Sequence, residues 1–408
     1  MKQHKTLLQM SCAIALIFAH ALASASDRVF TQEQVTNDLS NLYQSLIETH
    51  FNPYAYISKA QLNLRYQALK NQITEPSYSL LQTTKLYQGL VSAINNGHTE
   101  IDFPAESYIE YAKSGGTLFP LEVTIEDNKV FIRANHSKQP SIMKGAELIE
   151  INGQPINLVL EAIYPLISAE RPYFKHTKLE IYTFPRYYWY AYGQQENFVV
   201  TVRNNGSVTK HTVQAINAFD EFEAKKDEIL DAQQTLTFFG ETAYLNPGHF
   251  SGDETKYRRF IDDAFSKING KSSKNLIIDL RNNGGGNDSF SDYLVAYIGN
   301  KPFKWHSTFS LRTSRLLKQD TKLNRDLTKP YWRSIMENKT GEQYAFQFDE
   351  YQPQPAGKRY RGKVYVLINR QSHSQAAVTA AQIQDYGWGI LVGEETGDYP
   401  TLYASQFQ

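Results

Sequence analysis

The 408-residue sequence contains a single cysteine, Cys12, and that residue falls in a segment expected to be removed. A mature chain without cysteine has no disulfides, no thiol chemistry and no Cys-ligated metal site, so its fold must rest on burial and hydrogen bonds. Net charge is also missing: 42 Lys and Arg balance 42 Asp and Glu, which removes any overall electrostatic case for a nucleic-acid partner. No internal repeat or low-complexity tract is present. No H-E-x-x-H pair occurs to suggest zinc, no G-x-S-x-G elbow to suggest an α/β-hydrolase, and no Gly-Lys-Ser/Thr or G-x-G-x-x-G loop to cradle phosphate. No cofactor or metal is expected. What the chain does have is apolar material, 41% of residues, enough for a large core at a length of two or three domains. Its 27 Tyr and 22 Phe could serve a peptide or sugar surface, although such residues more often pack in cores.

Residues 1–25 have the pattern of a cleaved secretory leader. Lys2 and Lys5 precede an apolar run from Leu7 to Ala23, and Ala23-Ser24-Ala25 offers a small-residue cleavage site. The run is short for a membrane helix, and a lipid anchor at Cys12 is disfavoured because the apolar run mostly follows that cysteine. The expectation is an exported protein, periplasmic or secreted, without a stable membrane anchor. Its oligomeric state cannot be read from the sequence. Cleavage would leave 40 basic and 42 acidic residues, a balance of −2.

Three stretches follow. Over 27–105 the apolar spacing is helical: Val35, Leu39, Leu42, Tyr43, Leu46 and Ile47, then Leu62, Tyr66, Leu69 and Ile73, then Leu86, Leu90 and Ile94, with Gly97 as the expected C-cap. Thr31 and Gln34 form a capping box. Over 115–215 the period becomes two, with turns expected at Asp127-Asn128 and Asn152-Gly153, and a Tyr-rich insertion from Tyr164 to Tyr192. Over 236–408 the pattern is α/β. A helix is expected from Ser251 to Ile268, buried strands at 276–280 and 364–368, a helix from about Ser374 to Tyr386, and a strand at 390–392. Within it, residues 301–363 carry 14 Lys/Arg against 6 Asp/Glu, a solvated basic segment or one that draws acidic groups or a chain-terminal carboxylate towards a site.

Two places could carry chemistry. The loop Asn282-Asn283-Gly284-Gly285-Gly286-Asn287 follows a strand and opens a helix, where glycine would let the main chain approach a substrate carbonyl and donate to a developing oxyanion. A bare turn would explain the glycines as well. The second is Ser372-His373-Ser374-Gln375-Ala376-Ala377, between a strand and an Ala-rich helix. Ser374 could be a helix cap or a nucleophile. The Gln375 N–H could supply an oxyanion donor at the helix end. A serine nucleophile needs a base, and His98, in Asn96-Gly97-His98-Thr99, follows an expected helix end that could hold its ring rigidly.

Together NLIIDLRNNGGG at 275–286, VYVLINRQSHSQAA at 364–377, VGEETG at 392–397 and Gly97-His98-Thr99 resemble the tail-specific, or C-terminal processing, serine peptidases, a family that includes tricorn protease and the repeats of a retinoid-binding protein. The resemblance implies an α/β core of the crotonase/Clp peptidase type, a helical N-terminal domain and a PDZ-like β module around 119–156. It assigns Ser374 as nucleophile, Gly285 and Gln375 as oxyanion donors, and His98 as the base of the tricorn-like branch. Tyr399 stands where the other branch carries a lysine, which contradicts a Ser-Lys dyad. The acid that orients the base in tricorn-like members falls beyond Gln408, so the α/β core is expected to be C-terminally incomplete, unless Glu394 or Glu395 substitutes. The implied function is an exported serine endopeptidase acting on peptide or protein substrates. The alternative is a catalytically inactive ligand- or peptide-binding protein on the same scaffold.

Overall fold

The computed structural model describes residues 28–180, 183–230, 234–401 and 403, so the expected leader and Cys12 lie outside the described residues. The chain forms two compact units. One holds the described residues up to Ile47, with Pro53–Ser168 and Leu179–Ala224; the other holds Glu48–Asn52, Ala169–Lys178 and the chain from Lys225 onward.

In the first unit, strand β1 (Val29–Thr31) pairs antiparallel with β2 (Ser77–Ser79) and leads into helix α1 (Gln32–Thr49). Thr31 Oγ1 accepts from the Gln34 N–H at 3.2 Å while Gln34 Oε1 accepts from the Thr31 N–H at 2.9 Å, the reciprocal cap that the sequence anticipates. The same device starts α2 (Lys59–Asn71) at Ser58 and Gln61, and α3 (Leu80–Val91) at Ser79 and Gln82. Val35, Leu39, Leu62, Leu69, Leu90 and Ile94 close a common apolar core. The third helix runs on as a 3₁₀ turn, Ser92–Ile94, and stops at Asn95 with φ 54°. The left-handed stop therefore lies two residues before Gly97, because asparagine tolerates that conformation and takes the role expected of the glycine. His98 then sits in the following loop. Asn96 Oδ1 accepts its N–H at 3.2 Å and the Thr99 hydroxyl at 2.8 Å.

The same unit carries an antiparallel sheet of β3 (Leu121–Glu126), β4 (Lys129–Asn135), β5 (Glu147–Ile151), β6 (Asn197–Asn204) and β7 (Ser207–Gln214), paired in chain order. Both expected turns form where paired left-handed residues allow them, at Asp127-Asn128 (φ 48° and 62°) and Asn152-Gly153 (φ 54° and 75°). Alternate residues Leu121, Val123, Ile125, Val130 and Ile132 face a core shared with Ile163, Phe184 and Tyr188 from the inserted helices.

The second unit is an α/β layer. Strands β8 (Thr235–Phe239), β9 (Thr242–Asn246), β10 (Asn275–Asp279), β11 (Lys363–Ile368) and β12 (Ile390–Gly393) lie in that order, antiparallel at the first pair and parallel thereafter. Helix α4 (Glu254–Gly270) starts three residues later than the sequence suggests, because Asp253 rather than a residue near Ser251 caps it, accepting from the Lys256 N–H. Helices α5 (Asp288–Val295) and α6 (Gln375–Asp385) follow β10 and β11. Leu276, Ile278, Leu280, Phe265, Leu294, Val366, Ala376 and Ile383 are all buried in one core. The loops that leave the carboxyl ends of the adjacent parallel strands β10 and β11 are the two singled out in the sequence, and parallel neighbours bring such loops together.

Candidate active site

Ser374 immediately precedes α6 and does not cap it. Its backbone adopts φ 53° and ψ −124°, and its side chain makes no cap hydrogen bond. A non-glycine residue in this region carries a strain of about 1–3 kcal/mol and persists only where its surroundings impose it. Here the surroundings are identifiable. The Ser374 N–H donates to Asp398 Oδ2 at 2.7 Å, its carbonyl accepts from the Val378 N–H at 3.1 Å, and the preceding His373 N–H donates to the Asn283 carbonyl at 2.9 Å. Ser372 is fully buried, its hydroxyl donating to the Leu280 carbonyl at 2.7 Å and accepting from the Asn369 N–H, and so is occupied structurally.

Gly285 packs directly against this turn. It has φ +84°, and a Cβ placed on it would lie 2.6 Å from the His373 carbonyl oxygen, 2.7 Å from the Gln375 nitrogen and 2.8 Å from Ser374 Cβ. Only glycine fits, for both conformation and space. The structure thus brings Ser374, Gln375 and Gly285 together. Among the described residues the Gln375 N–H, at the first position of α6, donates to no protein acceptor, as suits a donor at a helix N-terminus. The Gly285 N–H is engaged: it donates to Asn283 Oδ1 at 2.8 Å, while Asn283 Nδ2 donates to the Gly248 carbonyl. The neighbouring Gly284 N–H donates to His249 Nδ1 at 3.1 Å. Behind the site, Gln375 Nε2 donates to Ser291 Oγ and Gln382 Nε2 to Asp292, tying α6 to α5.

Asp398 is the residue that sequence reasoning missed. It is 1% exposed, and its Oδ2 stands 2.7 Å from the Ser374 nitrogen and 3.3 Å from His373 Nε2. Burial pushes its carboxyl up to about 7; the Ser374 N–H opposes the rise, Glu170 adds to it and Lys178 opposes it. Its loop is fixed by Arg171, which donates to the carbonyls of Thr396 at 2.8 Å and Gly397 at 3.2 Å, pairs with Glu395 at 2.9 Å and lies over the Tyr399 ring at 4.7 Å. Glu394 is paired with Arg370 and Glu395 with Arg171, so both carboxylates considered as substitutes are committed to arginines. Tyr399, in the lysine slot, faces Arg171. His373 stacks obliquely on Phe174 at 5.1 Å. His98 belongs to the first unit.

The second unit thus presents an uncapped, strained serine at a helix start with a glycine turn pressed against it, a geometry compatible with nucleophilic chemistry. Residues 241–405, which contain it, match the model of peptidase family S41, a serine-type peptidase family. Among solved structures, mature CPAF complexed with lactacystin is similar over 90% of this chain and 85% of its own, with 14% identity and a TM-score of 0.63. Mature CPAF alone is similar over 90% and 84%, with 15% identity and a TM-score of 0.59. The photosystem II D1 C-terminal processing protease aligns over 89% and 82% with 13% identity, at a TM-score of 0.42. At such identities the likeness to CPAF is one of fold. No curated protein matches the chain in sequence.

Proposed function

We propose that the chain is an exported serine endopeptidase in which Ser374 is the nucleophile and His98 its base. Ser374 Oγ attacks a peptide carbonyl carbon as its proton passes to the His98 imidazole. The carbonyl oxygen, now anionic, takes hydrogen bonds from the Gln375 and Gly285 N–H groups. The imidazolium returns the proton to the departing amine as the C–N bond breaks, and water hydrolyses the acyl-enzyme by the same steps. For Gly285 to donate, its N–H must exchange the Asn283 amide oxygen for the oxyanion, an exchange favoured because a hydrogen bond to a charged acceptor is the stronger. The observation that carries this reading is the strained, uncapped backbone of Ser374 against Gly285. The base assignment rests on the family resemblance of Gly97-His98-Thr99. Export rests on the pattern of residues 1–25; among the described residues no helix is long and apolar enough to cross a membrane.

A second reading of the base is favoured by one distance: His373 Nε2 stands 3.3 Å from the buried Asp398 carboxylate, an imidazole–carboxylate pair beside the serine. Hydrolysis of an unstructured protein by the wild type and by Ser374→Ala tests the function. Loss of activity with unchanged circular dichroism is expected. Equal hydrolysis by the variant would overturn it, and absence of activity from the wild type would favour a binding protein on the same scaffold.

A further inference from the structure

Next to the glycine turn lies a cavity of about 250 Å³ lined by Asn246, Gly248, Asp279, Arg281, Asn282, Asn283 and Asn369. Its unpaired side-chain groups are donors. Every side-chain acceptor on its wall already takes a protein donor. Asp279 accepts from the Arg281 guanidinium and the Tyr244 hydroxyl. Asn369 Oδ1 accepts from the backbone N–H groups of Asn282 and Gln371, and Asn282 Oδ1 accepts from Asn369 Nδ2. Asn246 Oδ1 accepts from the Gly248 N–H and Asn283 Oδ1 from the Gly285 N–H. Because backbone donors anchor these amides, their orientations are fixed, and the amide nitrogens of Asn246 and Asn282 are left without a protein acceptor among the described residues. Arg281 Nη1 is in the same position, on a side chain that is 49% exposed. The wall thus offers three unused donors, one of them charged, while every side-chain acceptor on it already takes at least one protein donor.

We propose that this cavity is a substrate subsite for a carboxylate of the bound peptide, supplied by an Asp or Glu side chain or by a chain end. A carboxylate, which only accepts, can take these donors together, whereas an ammonium or a guanidinium, which only donates, would leave all three without a partner. The charges of Arg281 and Asp279 offset each other, so recognition comes from directed hydrogen bonds rather than from net positive potential. The subsite adjoins the reacting centre through Asn283, whose side chain holds the Gly285 N–H and whose carbonyl holds the His373 N–H. This inference rests on the proposed peptidase reading for its substrate, yet it can be tested without turnover.

The experiment measures fluorescence-anisotropy binding of peptides to the Ser374→Ala protein. Matched peptides carry Glu or Gln at one scanned position, each with a free or an amidated C-terminus. The Glu peptide, or the free-terminus peptide, is expected to bind at least ~10-fold tighter than its amide counterpart, the scale of one or two charge-assisted hydrogen bonds. Which of the two pairs shows the difference identifies the source of the carboxylate. Asn282→Asp keeps the oxygen that Asn369 binds and suits the left-handed backbone at φ 59°, but replaces a donor by a negative charge; it is expected to abolish the preference. Equal binding of acid and amide forms in both pairs, or a preference that survives Asn282→Asp, would overturn the subsite. A preference confirmed alongside inactive wild-type protein would sink the peptidase reading and leave the subsite standing.

Discussion

Replacing Gly285 by alanine separates two physical effects that the active-site geometry combines. The added methyl must adopt φ +84°, at a cost of about 1–2 kcal/mol for an L-residue. It must also enter a space where backbone atoms of His373 and Gln375 lie 2.6 and 2.7 Å away. Backbone does not swing aside as a flexible side chain would, and overpacking of this kind adds about 1–3 kcal/mol. The total destabilisation expected is about 2–5 kcal/mol, and relief of the clash has to move the turn that holds Ser374. A displacement approaching 1 Å at a reacting atom costs about 100-fold in rate. Gly341 supplies the control: it has φ +86°, but a Cβ there meets nothing within 4 Å, so Gly341→Ala should lose only the conformational 1–2 kcal/mol and keep full activity. Urea denaturation and peptide-hydrolysis kcat/KM on both variants provide the comparison. If Gly285→Ala proves no less stable than Gly341→Ala and equally active, the packing of Gly285 against Ser374 does not position the nucleophile.

Three further outcomes are expected. His98→Ala should lower kcat/KM at least ~100-fold and His373→Ala far less; the reverse order would transfer the role of base to the His373–Asp398 pair. Asp398→Asn should change the pH dependence of stability. Because burial raises the Asp398 carboxyl from 3.8 to about 7, the folded state retains a proton that the unfolded chain has lost, and wild-type stability should fall by about 3 kcal/mol between pH 4 and pH 7 through this group, a slope that thermal melts of the variant should lack. Asn283→Ala removes the present acceptor of the Gly285 N–H and should lower kcat more than it raises KM, because the turn that presents the donor loses its tether; an unchanged kcat would show that Asn283 does not organise the turn.

Much of the second unit is legible in the sequence because its signals are local. Five-residue apolar runs mark β10 and β11, glycines mark the turn after β10, and the serine and small residues after β11 mark a helix start. What local patterns do not reveal is whether Ser374 caps its helix, since that depends on a backbone angle imposed by Asp398 and Gly285 from other loops. The position of Asp398 is hidden from local pattern for the same reason. It reaches Ser374 only after β12 pairs in parallel with β11, and its loop is held by Arg171, more than 220 residues earlier. The only local sign in Thr396-Gly397-Asp398 is the glycine, and what it signifies, a Cβ that would stand 2.7 Å from the Arg370 carbonyl oxygen, is set by the tertiary structure. The shift of the helix stop from Gly97 to Asn95 is a smaller case, in which two residues that both tolerate left-handed backbone compete and the earlier one wins.

The central claim, that the strained serine at the start of α6 is an activated nucleophile, is tested most directly by covalent labelling. The purified protein is treated with a serine-directed fluorophosphonate, digested, and the modified peptide located by mass spectrometry. The account predicts modification at Ser374, lost in Ser374→Ala and absent from the buried Ser372. Absence of labelling from folded wild-type protein, or equal labelling of the variant, would contradict it.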